Sequence, residues 1–332
     1  MNLTDHQYKH EIRNTLAPAL ALVIKKGDID RINALFKIGA DVNARGSRNS
    51  HSEHFTPLYW ACSKGHAEIT RLLLDRGAKL EVKNDYGTAL YWACEHGHVE
   101  IARILLEAGA RVNFPKASAL LPLSGACKSK DPYLVRLLLD HGADVNARDY
   151  PCLNSPLHFV CTAEIARLLL DAGADINARN KSDDAPIHTA AHAARTDVVQ
   201  FFVNNGVDPD CRGYIGTTAL HYASEKGSVE TVQLLLDHGA DPNARNSIGH
   251  DSFDHATRNG IIVDNLHVAV IPILLNHGAE PPEDKLERVF EIAVHMNQPD
   301  PNRDAILEWF QQNRPEMYFS KFCTVSMAPG GM

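Results

Sequence analysis

The phrase GADVNAR, Gly39 to Arg45, returns unchanged at Gly142 to Arg148, and nearly unchanged as GADINAR at Gly173 and GADPNAR at Gly239. Weaker copies are GAKLEVK at Gly77, GARVNFP at Gly109, GVDPDCR at Gly206 and GAEPPED at Gly278. Successive glycines stand 38, 32, 33, 31, 33, 33 and 39 residues apart. A period of this size marks one supersecondary unit repeated along a stack. Before the phrases come apolar helical segments such as ITRLLLDR, IARILLEA, LVRLLLDH and TVQLLLDH. The stripe on each cannot be buried within one unit, so neighbours must stack. The glycine suits the left-handed position just past a helix end.

A second motif lies between the phrases: TPLYWA at Thr56, TALYWA at Thr88, LPLSGA at Leu121, SPLHFV at Ser155, APIHTA at Ala185 and TALHYA at Thr218. Proline there suits a first helical turn, with the preceding Thr or Ser as N-cap. With this T-P-L-H-x-A signature and a unit of about 33 residues, the sequence resembles the ankyrin repeat family over roughly residues 18 to 280. The resemblance implies an all-α solenoid of stacked antiparallel helix pairs with protruding hairpin loops and helical end caps. The expected layout is a capping repeat over 1–45, about seven repeats over 46–280, two closing helices over 281–314 and a tail over 315–332. Irregular stretches are expected at 46–55, 155–165 and 251–275.

Net charge is −8, with both signs interspersed, which leaves no basic footprint for nucleic acid or an anionic membrane. No run approaches the 18 or so apolar residues of a membrane span, and the polar N-terminus carries no apolar targeting core. The expectation is a monomer in the cytoplasm or nucleus. Cys62, Cys94, Cys127 and Cys161 recur at one register of the second motif. Packed helices sit too far apart for such a column to form disulfides, so these are read as small buried thiols.

The Tyr-Trp pairs raise the question of binding. At about 100° per residue, with Leu58 at zero, Ala61 and Cys62 share the core side and Trp60 falls near the opposite side. The resemblance places that short first helix on the concave side of the array. Trp60 heads a column that continues as Trp92, Gly125, Phe159, Thr189, Tyr222 and His255. The column before it reads Tyr59, Tyr91, Ser124, His158, His188, His221 and Asp254; the family's usual residue is His, whose hydrogen bonds support neighbouring loops. Trp and Tyr offer large contact area with a polar tip and dominate binding hot spots. Binding candidates are therefore Tyr59, Trp60, Tyr91, Trp92, Phe159, Tyr222 and His255, with Gly125 read as a notch between Trp92 and Phe159. Tyr86, Tyr150 and Tyr214 join them as exposed loop tips.

No phosphate-binding, nucleophile-elbow or zinc-protease motif occurs. HTAAH puts His188 and His192 four apart, but His188 is the signature histidine of its repeat, so no metal and no cofactor are expected. Histidines beside glycines at helix ends (His141, His238 and His277 among them) are read as meeting terminal carbonyls. The leading reading is a binding module, an adaptor, scaffold or inhibitor, that recognises a protein or peptide through its concave aromatic face and loop tips. The alternative is a small-molecule binder or cofactor-free isomerase or cyclase with a pocket in the irregular region, where Asp254 and His255 would supply acid-base chemistry to an apolar molecule. The resemblance also makes Asn43, Asn146, Asn177 and Asn243 candidates for asparaginyl hydroxylation.

Overall fold

The computed structural model describes residues 5–45, 55–82, 87–114, 120–257, 265–296 and 300–319, and every regular element among them is helical. The chain divides into two compact units, Met1–Lys181 and Ser182–Met332. In the first unit, α1 (Asp5–Lys26) and α2 (Ile29–Lys37) lead into three helix pairs. These are α3 (Pro57–Lys64) with α4 (Ala67–Asp75), α5 (Ala89–Glu95) with α6 (Val99–Glu107), and α7 (Pro122–Lys128) with α8 (Pro132–Asp140). A fourth pair is curtailed, because a single 3-10 turn over Pro156–Phe159 stands where a first helix is expected, followed by α9 (Ala163–Asp171). This repeat lacks the residues that read SKGH or EHGH elsewhere, so its chain turns at once into the second helix.

The second unit holds α10 (Pro186–His192) with α11 (Thr196–Asn204), α12 (Ala219–Glu225) with α13 (Val229–Asp237), and the short α14 (Ser252–Ala256) with α15 (Asn265–Asn276). Then α16 (Glu283–His295) and α17 (Pro301–Asn313) pack on each other, and α17 also packs on α15. Within each unit the short first helices form one row and the second helices another: α3 meets α5 and α5 meets α7, while α4 meets α6 and α6 meets α8. The second unit repeats the arrangement with α10, α12 and α14 against α11, α13 and α15.

Side-chain caps mark where α3 and α5 start, and left-handed glycines follow the ends of the second helices. Thr56 and Thr88 accept the backbone N–H of Tyr59 and Tyr91 through their side chains, each at 3.2 Å. Each such cap contributes about 1 kcal/mol. At the far ends, the glycines of the repeated phrases all adopt φ between 78° and 93°, and the chain closes as Ala78 N–H to Leu73 O and Gly77 N–H to Leu74 O, both 2.9 Å. Between the rows, Leu73, Leu105, Leu138 and Leu169 are fully buried, as are Phe202 and Leu235 in the second unit. Burying one such side chain contributes about 1.5–3 kcal/mol, and only stacking with a neighbour removes it from water.

Cys62, Cys94 and Cys127 are buried free thiols, as the column predicts. Cys161 departs from it: it is only half-buried because its repeat has a 3-10 turn instead of a helix at that place.

Candidate interaction surface

The asparagines of the repeated phrase tie consecutive loops together. Asn146 donates through Nδ2 to Gly173 O (3.0 Å) and accepts from Asp175 N–H at Oδ1 (2.9 Å). Asn43 does the same with Gly77 O and Lys79 N–H, and Asn243 with Gly278 O and Glu280 N–H. Asn113, not singled out from sequence, makes the same pair with Gly142 O and Asp144 N–H. A primary amide is the group that can both donate and accept here. These side chains are thus committed to the scaffold, and a modifying enzyme reaches them only by opening those bonds. For Asn177, the backbone N–H donates to Asp175 Oδ1 at 3.0 Å.

The phrase's arginines brace the same loops. Arg212 donates to Gly216 O at 3.2 Å and to Arg245 O at 2.7 Å, and Arg245 donates to Gly249 O at 3.0 Å. Arg148 holds Leu153 O and Arg179 O in the first unit. What this framework presents is apolar. In the second unit Tyr214 is 54% exposed, Ile215 40% and Ile248 60%, and Ser247 N–H joins the two tips by binding Ile215 O at 2.8 Å. Ile215 sits at φ 48°, a left-handed conformation that a β-branched residue adopts only under strain. In the first unit Tyr150 is 55% exposed and Leu153 40%. Tyr86 lies outside the described residues.

The aromatic column is more enclosed than the helical wheel predicts. Tyr59 and Tyr91, expected as binding residues, are buried in the core. Their side chains replace the loop-bracing histidine with ring packing: Tyr59 meets Trp60 at 4.8 Å and Trp92 at 5.3 Å, edge to face. Burial pushes the Tyr59 hydroxyl up to about 12. Tyr91 donates to Glu95 (2.6 Å) and receives from Lys128 (3.0 Å), which also pairs with Glu95 at 3.2 Å. Trp60 and Trp92 are half-buried, and the Trp92 Nε1 is enclosed with no hydrogen-bond partner among the described residues. Lys25 lies 3.5 Å above the Trp60 ring, and Lys128 lies 4.8 Å from the half-buried Phe159 ring. Neither lysine was singled out from sequence, since nothing in the repeat period marks a cation for an aromatic one repeat away.

Gly125 is not the expected notch. A methyl group there would lie 2.8 Å from Tyr91 O and 3.2 Å from Glu95 N, so the missing side chain is what lets α7 approach α5. The space is filled by backbone.

The histidine column has the structural task the sequence suggests. Backbone N–H groups of Ser155, Ala185 and Thr218 donate to Nδ1 of His158, His188 and His221 at 3.1, 3.0 and 3.2 Å. The Nε2–H groups of His188 and His221 then donate across to Cys211 O (2.9 Å) and His250 O (3.0 Å) in the next loops. Burial holds His221 down to about 4, so it stays neutral. His141, His238 and His277 donate through Nδ1 to carbonyls four residues back, at 2.7, 2.8 and 2.8 Å.

Asp254 and His255 do not assemble an acid-base pair. Asp254 accepts Asp251 N–H at the start of α14 (3.2 Å) and pairs with Lys285. His255 faces Glu225 (3.4 Å) and Asn246 (3.4 Å). A cleft of about 410 Å³ lies elsewhere in the second unit, with Leu275, Leu286 and Trp309 in its wall and Arg314 at its rim.

The family model for ankyrin repeats (three copies) matches the chain in overlapping stretches, residues 20–116, 85–149, 123–213, 157–246 and 187–285. The chain belongs to the ankyrin repeat family. Ankyrin repeats are a protein-interaction module, and the helix pairs, loop glycines and bracing histidines described above are its parts. Among solved structures, the human ASB11 ankyrin repeat domain is similar at 28% identity with a TM-score of 0.56, covering 69% of this chain and all of that one. Curated relatives match over single stretches. The palmitoyltransferase AKR1 of Debaryomyces hansenii is 35% identical over 80 residues, 24% of this chain and 9% of that protein. Protein phosphatase 1 regulatory subunit 27 of Homo sapiens is 35% identical over 69 residues, 21% of this chain and 42% of that protein. The chain therefore spans less than half the length of the curated relatives it matches. Among the described residues, no helix is long and apolar enough to cross a membrane.

Proposed function

We propose that this ankyrin repeat protein binds a protein partner through its loop tips and the adjoining row of short first helices, acting as an adaptor, scaffold or inhibitor. The observation that carries this reading is the pair of tips at Tyr214, Ile215 and Ile248: large apolar side chains in water, on backbone braced by Arg212, Arg245 and Ser247. Hydrophobic exposure on a rigid loop gives a partner contact area at low ordering cost. The strain at Ile215 sharpens the argument, because selection for stability alone favours a residue that tolerates left-handed backbone.

The test uses that conflict. Ile215→Asn relieves the strain and is expected to stabilise the fold by about 1 kcal/mol, while weakening partner capture. Affinity purification from the native source, quantified for wild type, Ile215→Asn and Tyr214→Ala/Ile248→Ser, reads the binding; thermal unfolding reads the fold. If both variants retain every captured protein at wild-type yield, the loop-tip reading is wrong.

A further inference from the structure

The turns that follow α1, α3, α5 and α7 line up along one edge of the first unit's row of short helices. In that row α1 meets α3, α3 meets α5 and α5 meets α7. The turns stack directly: a methyl group at Gly27 would lie 3.0 Å from the His66 imidazole, and one at Gly65 2.9 Å from that of His98. His66 also meets Lys25 O at 3.5 Å, and the Cys161 thiol donates to Lys128 O at 3.6 Å, which carries the stacking on to the curtailed repeat.

This edge is basic. Lys25 and Lys26 lie in the last turn of α1, Lys64 in that of α3, Lys128 in that of α7, and Lys130 just beyond it. Free carbonyls at a helix end favour a cation, which accounts for lysines in the last turns. It does not account for Lys130, which takes φ 65° at the place held by Gly27, Gly65 and Gly97 in the neighbouring repeats. A side chain in that conformation costs stability that glycine keeps. The carboxylates within the same turns are Asp28, Glu95 and Asp131, and each is engaged. Asp28 pairs with Arg31 at 3.3 Å, Glu95 with Lys128 at 3.2 Å, and Asp131 accepts Tyr133 N–H at 2.9 Å. Lys26, Lys64 and Lys130 are exposed, and their ammonium groups have no partner among the described residues.

Apolar groups lie beside the lysines. Leu22 is 54% exposed, three and four residues before Lys25 and Lys26 and so on the same helix face. Trp60 and Trp92 are half-buried, and Lys25 stands over the Trp60 ring. A ring face covered by an ammonium is closed to a partner's cation and adds positive potential to the surface. Lysines among aromatic rings also suit single-stranded nucleic acid, but a chain of net charge −8 repels a phosphate backbone at long range. A short segment with a few carboxylates meets less of that repulsion.

We propose that this edge, Lys26, Lys64 and Lys130 with Leu22, Trp60 and Trp92 beside them, docks a partner segment in which glutamates or aspartates flank an apolar residue. The proposal rests on the protein-binding reading above and names the chemistry of the segment that the first unit's row of short helices takes.

The probe is the blocked peptide Gly-Glu-Phe-Glu-Glu-Gly, titrated at low salt into the full chain labelled at its tryptophan indoles. Counterparts with glutamine or lysine in place of glutamate, and oligouridylate, are titrated alongside. NMR reads Trp60, Trp92 and Trp309, the last of them in the second unit and serving as internal reference. The glutamate peptide is expected to shift Trp60 and Trp92 saturably and leave Trp309 in place, while the glutamine and lysine peptides shift none of them. Added salt is expected to weaken the glutamate peptide. Lys26→Gln/Lys64→Gln is expected to weaken it about tenfold, the loss of two exposed ion pairs. Lys37→Gln, a charge removal at the exposed end of α2, is expected to change it by less than about twofold. No saturable shift, equal shifts from the glutamine peptide, or equal weakening by Lys37→Gln would overturn the proposal. Saturable shifts from oligouridylate and none from the glutamate peptide would overturn it in favour of nucleic acid. In each of those events, loss of partner capture by Tyr214→Ala/Ile248→Ser would still stand, so the two readings fail separately.

Discussion

Asp210 breaks the asparagine ladder, and replacing it tests how the loops are held. In the phrase GVDPDCR it occupies the position of Asn43, Asn146 and Asn243. Its carboxylate accepts Asp241 N–H at 3.0 and 3.1 Å through its two oxygens, but it has no hydrogen to give the Gly239 carbonyl. Burial raises its pKa, and the neighbouring Asp208 and Asp241 add to the effect against the opposing hydrogen bond and Arg212. Asp210→Asn keeps the acceptor, supplies the missing donor and removes a charge held in an unfavourable place. One net hydrogen bond is worth about 0.5–1.5 kcal/mol, and this loop lies at the surface, so a gain of about 0.5–1 kcal/mol is expected. For a unit of this size that is a rise of about 1–4 °C in melting temperature. The sign has a pH consequence. An acid whose folded pKa is raised regains stability as pH falls through that value, because the folded chain takes the proton first. The advantage of Asn over Asp therefore shrinks on acidification. Calorimetry at pH 7 and in the acid range measures both, with Asn146→Asp as the converse, expected to lose stability through its missing donor to Gly173 O. An unchanged or lowered melting temperature for Asp210→Asn, with Asn146→Asp neutral, would refute the view that the amide bridges matter.

Further outcomes follow from burial. His221, held near 4 against an ordinary 6.5, makes the fold lose stability as pH falls from 6.5 towards 4, because only the unfolded chain protonates there; the loss is on the order of 3 kcal/mol by urea unfolding. Gly125→Ala forces a methyl to within 2.8 Å of Tyr91 O, and is expected to cost about 1–3 kcal/mol in the same assay. In the native protein an aromatic disulfide reagent should react with exposed Cys152 and leave Cys62, Cys94 and Cys127 untouched until unfolding. Burial pushes the Cys62 thiol up to about 12, and the other two are likewise raised.

The helix pairs were legible because period, stripe and terminal glycine all pointed to one unit, and each of these is a local property of the chain. The capping Thr residues, the buried cysteines at 62, 94 and 127 and the bracing histidines followed for the same reason. What did not follow was anything set by the distance between repeats. A helical wheel places Trp60 opposite Leu58, but it says nothing of Lys25 lying 3.5 Å above the ring. Nor does it show Tyr59 and Tyr91 turning into the core once they replace histidine. Gly125 reads as a gap in sequence and is a close helix approach in space. In sequence Asp184 reads only as a carboxylate just upstream of His188 and His192; its reach to Tyr222 becomes visible only when two repeats are stacked.

Amide hydrogen exchange of the protein alone and with its captured partner bears most directly on the binding role. Partner-induced protection centred on Tyr214–Gly216 and Ser247–Gly249, extending to the exposed side of α12, is the predicted result. Protection confined to the second helices α11 and α13, with the loop tips exchanging as freely as before, would contradict it.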